Sequence, residues 1–288
     1  MNTGGIFEIH RYPIRYKKQG EPLYLIPFGD IHRSSPLCHV EKWKEFLEWA
    51  KHKPRCYFLG MGDYDDLISG SERKILNNDN LHDSTGETLE QFYRSQTERL
   101  AKELGFMRGH LVGLIEGNHF VKFEDGTTST QYLCRLLGCK YLGCTAFIRL
   151  VLSPDTKRND GRSIDIWAYH GKGAARLVGG SLNTVQQMCE QAESDVYLMG
   201  HDHKKSIATI TRLKLNGGGY KTIRLSHRKC LLARTGSFLK GYVPGKRSYV
   251  VDRNLNPTDL GVVKIEITPK RHSENGDDFT EIDLHGSV

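Results

Sequence analysis

The sequence predicts an α/β domain, on three grounds. Short apolar runs alternate with amphipathic stretches, as in a sheet built from right-handed strand, helix, strand crossovers. Five of those runs stop at a small cluster of Gly, His, Asp or Asn: Gly29-Asp30-Ile31-His32, Gly62-Asp63, Gly117-Asn118-His119, His170-Gly171 and Gly200-His201-Asp202-His203. The last third changes to alternating apolar and polar residues with turns between, which suits antiparallel strands.

The elements follow in order. Residues 22–28 (PLYLIPF) form a short apolar run whose length and flanking turn residues suit a buried strand. From Val40 to Lys51, Trp43, Phe46, Leu47 and Ala50 recur at helical spacing between Lys and Glu. Residues 56–61 (CYFLGM) read as a second buried strand, and the polar stretch 69–85 as a long surface loop. A helix is expected over 88–104, a third apolar strand over 110–116, a helix over 130–137 and a strand over 145–152. A hairpin turn at 155–162 (DTKRNDGR) leads to a strand at 164–169, then a helix at 181–192 and a strand at 196–199. Alternating segments follow at 208–215, 220–225, 248–252 and 261–267. One domain is expected over residues 1–270, with 271–288 a polar tail prone to fraying.

Composition narrows the class. The chain has 41 Lys and Arg against 34 Asp and Glu, a formal charge of +7, which favours anionic partners without singling out nucleic acid. No stretch approaches the roughly 20 apolar residues of a membrane span. The first residues lack the apolar core of a signal peptide, so a cytoplasmic protein with no membrane partner is expected. Seven scattered cysteines without a CxxC pair suggest neither a disulfide framework nor a structural zinc site.

In open α/β sheets, ligands gather at the carboxyl ends of the strands, so the five clusters can converge although they lie far apart in sequence. Each alone is weak: Asp is a common turn and capping residue, and Asn can cap a helix. His201-x-His203 is stronger, because alternate residues on an extended segment share a face. Carboxylate, imidazole and amide oxygen without thiolate suit hard or borderline ions: Mn²⁺ first, with Fe, Zn, Ni or Mg as alternatives. Two such ions roughly 3.5–4 Å apart can clamp a phosphate and activate water, and one carboxylate must then bridge them.

The ordered set D-x-H, G-D, G-N-H, H-G and G-H-x-H, from Asp30 to His203, resembles the calcineurin-like metallophosphoesterase superfamily. The resemblance implies a four-layer sandwich of two mixed β-sheets flanked by helices, with a dimetal site at the strand ends. It assigns Asp30, His32, Asp63 and His203 to one ion, and Asp63, Asn118, His170 and His201 to the other. His119 matches the residue that protonates the leaving oxygen, and Asp66 the residue that orients it, with Asp65 as a rival. Phe120 stands where many members carry an acid. Leu67 and Glu116 replace the arginines of the Ser/Thr protein phosphatases, which argues for the nuclease and small-phosphodiesterase branches.

Other features bear on substrate. Lys172 and Arg176, just past His170, could hold a phosphate oxygen of a nucleotide, DNA or RNA, with Asn118 beside them; a solvated loop is the competing reading. The 69–83 loop carries Arg73, Lys74 and His82, and reads as a lid, an oligomer contact or ordinary surface. Phe238, Tyr242 and Tyr249 among Lys240, Lys246 and Arg247 are better explained by sheet packing than by base stacking. The expected activity is phosphodiester hydrolysis by a hydroxide between the ions. A nucleotide phosphomonoesterase is the alternative and a silent scaffold a distant third. The oligomeric state is open, a homodimer included.

Overall fold

A computed structural model describes residues 8–66, 83–155, 161–173, 175–216, 224–246, 248–252, 254–274 and 277–288. Two mixed sheets face each other. The first has seven strands: β1 (Ile9–Tyr16), β5 (Thr145–Pro154), β6 (Arg162–Tyr169), β7 (Val196–Met199), β9 (Arg224–Ser237) and β10 (Gly261–Val262) in that order, with β8 (Lys205–Asn216) paired to β9. The second has five strands in the order β12 (Asp277–Ser287), β11 (Lys264–Glu274), β2 (Leu23–Phe28), β3 (Cys56–Gly60) and β4 (Leu111–Leu114). Strands β2, β3 and β4 run parallel, as do β6, β7 and β9, so their carboxyl ends share an end of each sheet.

Side-chain alternation sorts the core into layers. In β7, Val196 and Leu198 point between the sheets, and Tyr197 and Met199 point outward. The middle layer adds Leu25, Leu59, Ile148, Leu150, Ile166, Leu231 and Ile265, all at most 1% exposed. Outside the five-stranded sheet lie α1 (Val40–His52), α2 (Asp83–Glu103) and α3 (Ser129–Leu137), which bury Trp43, Phe46, Leu100 and Leu133 against Ile26, Phe28 and Phe58. Outside the other sheet, α4 (Val178–Met188) packs Val185 and Met188 on Tyr197 and Leu232. This is a four-layer α/β sandwich.

Helix ends follow local chemistry. Thr128 and Gln131 close a capping box at the start of α3, and Gly138 ends it in the left-handed region. Among the described residues, no helix is long and apolar enough to cross a membrane.

Three expectations need correction, and one strand was not anticipated. The parallel edge strand β1 is absent from the sequence reading, because IHRYPIRY mixes charge with its apolar positions. Residues Tyr249–Asp252 form a helical turn, α5, where a strand was expected. The helix expected over 181–192 spans 178–188 instead, its start disguised by Gly179 and Gly180. The tail does not fray: β11 runs past residue 270 and pairs with β12 to Ser287, anchored by buried Thr280 and Leu284. The 69–83 loop, with Arg73, Lys74 and His82, lies almost wholly outside the described residues, as does the 156–160 turn.

Candidate metal centre

The five clusters meet where β2, β3, β4, β6 and β7 end. Backbone bonds lace the loops together: Asp30 N–H donates to the Gly62 carbonyl at 2.9 Å, and Ile31 and His32 N–H to Asp63 at 2.9 and 3.1 Å. Gly117 lets the third loop close on the second, since a Cβ there would stand 2.0 Å from Asp63 Oδ1. Gly62, at φ +99°, sits where a Cβ would be 2.5 Å from His170 Nδ1.

The backbone under the site is strained. Asp30, His32, Asp63, His201 and His203 have φ between 47° and 70°. Only two other non-glycine residues among those described, Arg55 and Asn254, share that sign. Left-handed backbone at non-glycine residues costs about 1–3 kcal/mol each and persists where surrounding contacts dictate it.

Two triads result. In the first, His32 Nε2 faces His203 Nε2 at 3.2 Å, and Asp30 Oδ1 lies 3.6 Å from His203 Nε2. In the second, His170 Nε2 is 3.2 Å from Asp63 Oδ2 and 3.3 Å from His201 Nδ1, and Asn118 Oδ1 stands 2.9 Å from both rings. Asp63 Oδ2 is also 4.0 Å from His32 Nε2, so it lies between the triads, while Oδ1 is held by the His119 N–H at 2.9 Å.

These residues fit divalent ions. His170 Nδ1 donates to the Met61 carbonyl at 2.8 Å, which leaves its Nε2 lone pair turned into the cluster. Asp30, fully buried, has an Oδ1 that accepts no hydrogen bond among the described residues. A buried carboxylate oxygen and facing ring nitrogens left this way are costly without a cation.

Titration agrees. Burial, with the Asp63 charge adding to it, pushes Asp30 up to about 7. Burial and neighbouring His32 drive His203 well below the usual histidine range, and burial with His170 lowers His201, so both present neutral rings. Burial would raise Asp63, but His170, His32 and His119 hold it well below the carboxylate range. Burial would lower His170, yet Asp63 carries it up to about 9.

His119 stands at the rim. Its Nδ1 is 2.6 Å from Asp66 Oδ1, and its ring meets that of His32 edge-on at 4.8 Å between centroids. Asp65 faces elsewhere: it accepts from Ser34 N–H at 2.9 Å and lies 3.8 Å from Arg33. Phe120 lines a small cavity behind His119 with Thr97, Thr130 and Leu133, so it packs the loop from the rear. Lys172 and Arg176 are exposed on the segment after His170, and they make no hydrogen bond or ion pair among the described residues. Phe238 is fully buried against Trp43 and Phe46, and the Tyr242 hydroxyl donates to the Leu255 carbonyl at 2.7 Å.

Sequence reading passed over Arg234. This β9 side chain is 1% exposed and donates to the Gly200 carbonyl at 2.8 Å and the Ser181 carbonyl at 3.1 Å. Its Nε lies 3.5 Å from Asp202, which also accepts from the Ser181 hydroxyl. Its composition signal is that of any surface arginine, so only the fold reveals it.

A second concavity, of about 640 Å³, opens at the amino ends of β6 and β7, away from the triads. Two ion pairs cross it: Arg228 to Asp195 at 2.8 Å and Lys270 to Asp283 at 2.7 Å.

No family model and no curated protein matches this sequence. Among solved structures, Vacuolar Protein Sorting 29 from Cryptosporidium parvum is similar over 94% of this chain and 100% of that one, at 12% identity and a TM-score of 0.34. A likeness of that size carries nothing about the site, whose chemistry follows from the residues themselves.

Proposed function

We propose that the chain is a phosphoesterase that works with two divalent ions, Mn²⁺ first among them, and cleaves phosphodiester bonds in nucleic acid or a nucleotide. The observation that supports this most is the meeting of two histidine and carboxylate triads at Asp63, beside a histidine held by its own carboxylate. Bound divalent ions supply charge for the phosphate oxygens and acidify water.

The chain's own residues have distinct tasks. Asp30, His32 and His203 would hold one ion, and Asn118, His170 and His201 the other. Asp63, between the two sets, would contribute to both, its rotation checked by the His119 N–H. Water attacks phosphorus as it yields a proton to solvent, the P–O ester bond breaks, and the departing oxygen takes its proton from His119 Nε2, which solvent then reprotonates. Asp66 fixes the opposite ring nitrogen, so the protonated ring keeps that N–H aimed outward. Lys172 and Arg176 reach for a non-bridging phosphate oxygen or the sugar beyond it.

Metal-stripped protein given Mn²⁺ is expected to hydrolyse bis-p-nitrophenyl phosphate faster than p-nitrophenyl phosphate, and EDTA should stop both. A preference for the monoester would move the assignment to a phosphomonoesterase using the same ligands. Absence of Mn²⁺- or Ni²⁺-dependent turnover on every diester offered would sink the proposal. A folded protein that takes up no metal would point to a scaffold.

A further inference from the structure

The Gly200–His201 peptide joins two charged groups through one amide. On its carbonyl side Arg234 Nη1 donates to Gly200 O at 2.8 Å, and on its amide side His201 N–H donates to Asp30 Oδ2 at 2.8 Å. A donor on the carbonyl polarises the peptide and strengthens its N–H, because bonds in series reinforce one another. The other end of the same carboxylate, Oδ1, is the oxygen left without a hydrogen bond near His203 Nε2. Strand β9 also grips the Asp30 main chain: the Ser237 hydroxyl and the Phe238 N–H both donate to the Asp30 carbonyl, at 2.8 and 3.1 Å.

A neutral side chain could tie helix α4 to this turn. Burying a guanidinium instead is expensive unless its charge is used; the carboxylate it meets directly, Asp202, sits 3.5 Å from Nε and is shared with Ser181, and Asp30 also lies near enough to favour its charge. The group that benefits from the charge is the ligand peptide. We infer that Arg234 is a positioning residue for the ion held by Asp30, His32 and His203: through the Gly200–His201 peptide it pins Asp30 Oδ2 and aims Oδ1 at that ion. The inference rests on the dimetal reading.

Its test is Mn²⁺ binding to metal-stripped protein, followed by isothermal titration and by electron paramagnetic resonance, with circular dichroism and thermal melting of each variant alongside. The wild-type chain should take up two ions. Arg234→Gln should weaken one of them by roughly 10–100-fold, as removal of an orienting partner of a metal ligand does, and leave the other within a few-fold. Arg234→Lys keeps the charge but lacks the fork that reaches Gly200 and Ser181 together, so its loss should be smaller, about three- to tenfold. With Mn²⁺ raised until the weakened site fills, kcat should return toward wild type while the apparent Mn²⁺ requirement stays high. A purely structural role would instead lower stoichiometry at every Mn²⁺ concentration, and that result overturns the inference.

Folded Arg234→Gln protein with both affinities unchanged also overturns it. If the Gln variant does not fold, the Lys variant decides: wild-type affinity at both sites is then the refuting result. A wild-type chain that binds no Mn²⁺ would sink the dimetal reading itself, whereas two ions in both proteins at equal affinity sinks only the role of Arg234.

Discussion

The two ends of the parallel strands treat charge in opposite ways. At the amino ends of β6 and β7, charged groups lining the groove find partners: Arg228 pairs with Asp195, Lys270 pairs with Asp283, and Lys229 Nζ donates to the Leu284 carbonyl at 2.7 Å. At the carboxyl ends, ring nitrogens face ring nitrogens at 3.2 and 3.3 Å, and a buried carboxylate oxygen is left over. One end pairs its charges, while the other crowds donors that fit a cation, and that contrast motivates the proposed metal site more than the size of either cavity does.

The contrast breaks most visibly at Asp63, which faces both triads. Asp63→Ala should lower kcat/KM on a diester by on the order of 10³-fold or more, a loss like that of a preorganised charge-stabilising group. Mn²⁺ titration should show both ions weakened. If only one is lost, Asp63 is not shared.

His119→Ala comes next. It should cost about 10²–10⁴-fold in kcat on a dinucleotide or DNA, whose leaving oxygen needs a proton. On bis-p-nitrophenyl phosphate, with its good leaving group, the loss should be far smaller. Asp66→Asn should follow the same ranking with a smaller effect, and equal losses on both substrates would deny His119 the acid role.

How much of this was legible beforehand depends on where each residue sits. The apolar runs before Asp30, Asp63, Asn118 and His201 announce strands buried on both faces, so the fold class could be read from them, while the expected ligand set came from the resemblance. The edge elements could not. Strands β1 and β12 each bury one face only, and their sequences look polar. The choice of Asp66 over Asp65 came from spacing, and the 2.6 Å contact to His119 is what spacing could not supply. Arg234 was invisible, because composition does not say which arginine is inside.

Protonation sharpens the comparison further. In the metal-free protein Asp30 is raised to about 7 and His170 to about 9. Both bind protons more tightly folded than unfolded, so the stability they contribute is present at low pH and lost as pH rises through those values. His201 and His203, being lowered, work in the reverse sense but finish titrating below about pH 7. From pH 7 to 9.5, therefore, the melting temperature of metal-free protein should fall while that of loaded protein falls less. Metal binding should release more protons at pH 6 than at pH 8, measurable by titration in buffers of different ionisation enthalpy. A pH-independent proton count would contradict the buried-acid picture.

Substitution of Lys172 and Arg176 together by Ala should raise KM for an oligonucleotide several-fold with kcat nearly unchanged, and the difference should fade at high salt. The smallest effect belongs to the far groove. Arg228→Ala should cost about 1 kcal/mol of stability or less and leave turnover and Mn²⁺ affinity alone. A loss of activity there would join two regions that the paired charges keep apart.

The left-handed backbone at Asp30, His32, Asp63, His201 and His203 has a bearing on what the protein can become. Asp, Asn and His are the side chains most at home in that conformation after glycine. They are also donors that suit hard and borderline ions. Main-chain shape and ion chemistry thus select the same small alphabet at these positions. Drift toward a thiolate centre for softer metals would meet resistance from the chain path before any ion was present. On the proposed reading, the preference for hard and borderline ions is inherited from the turns.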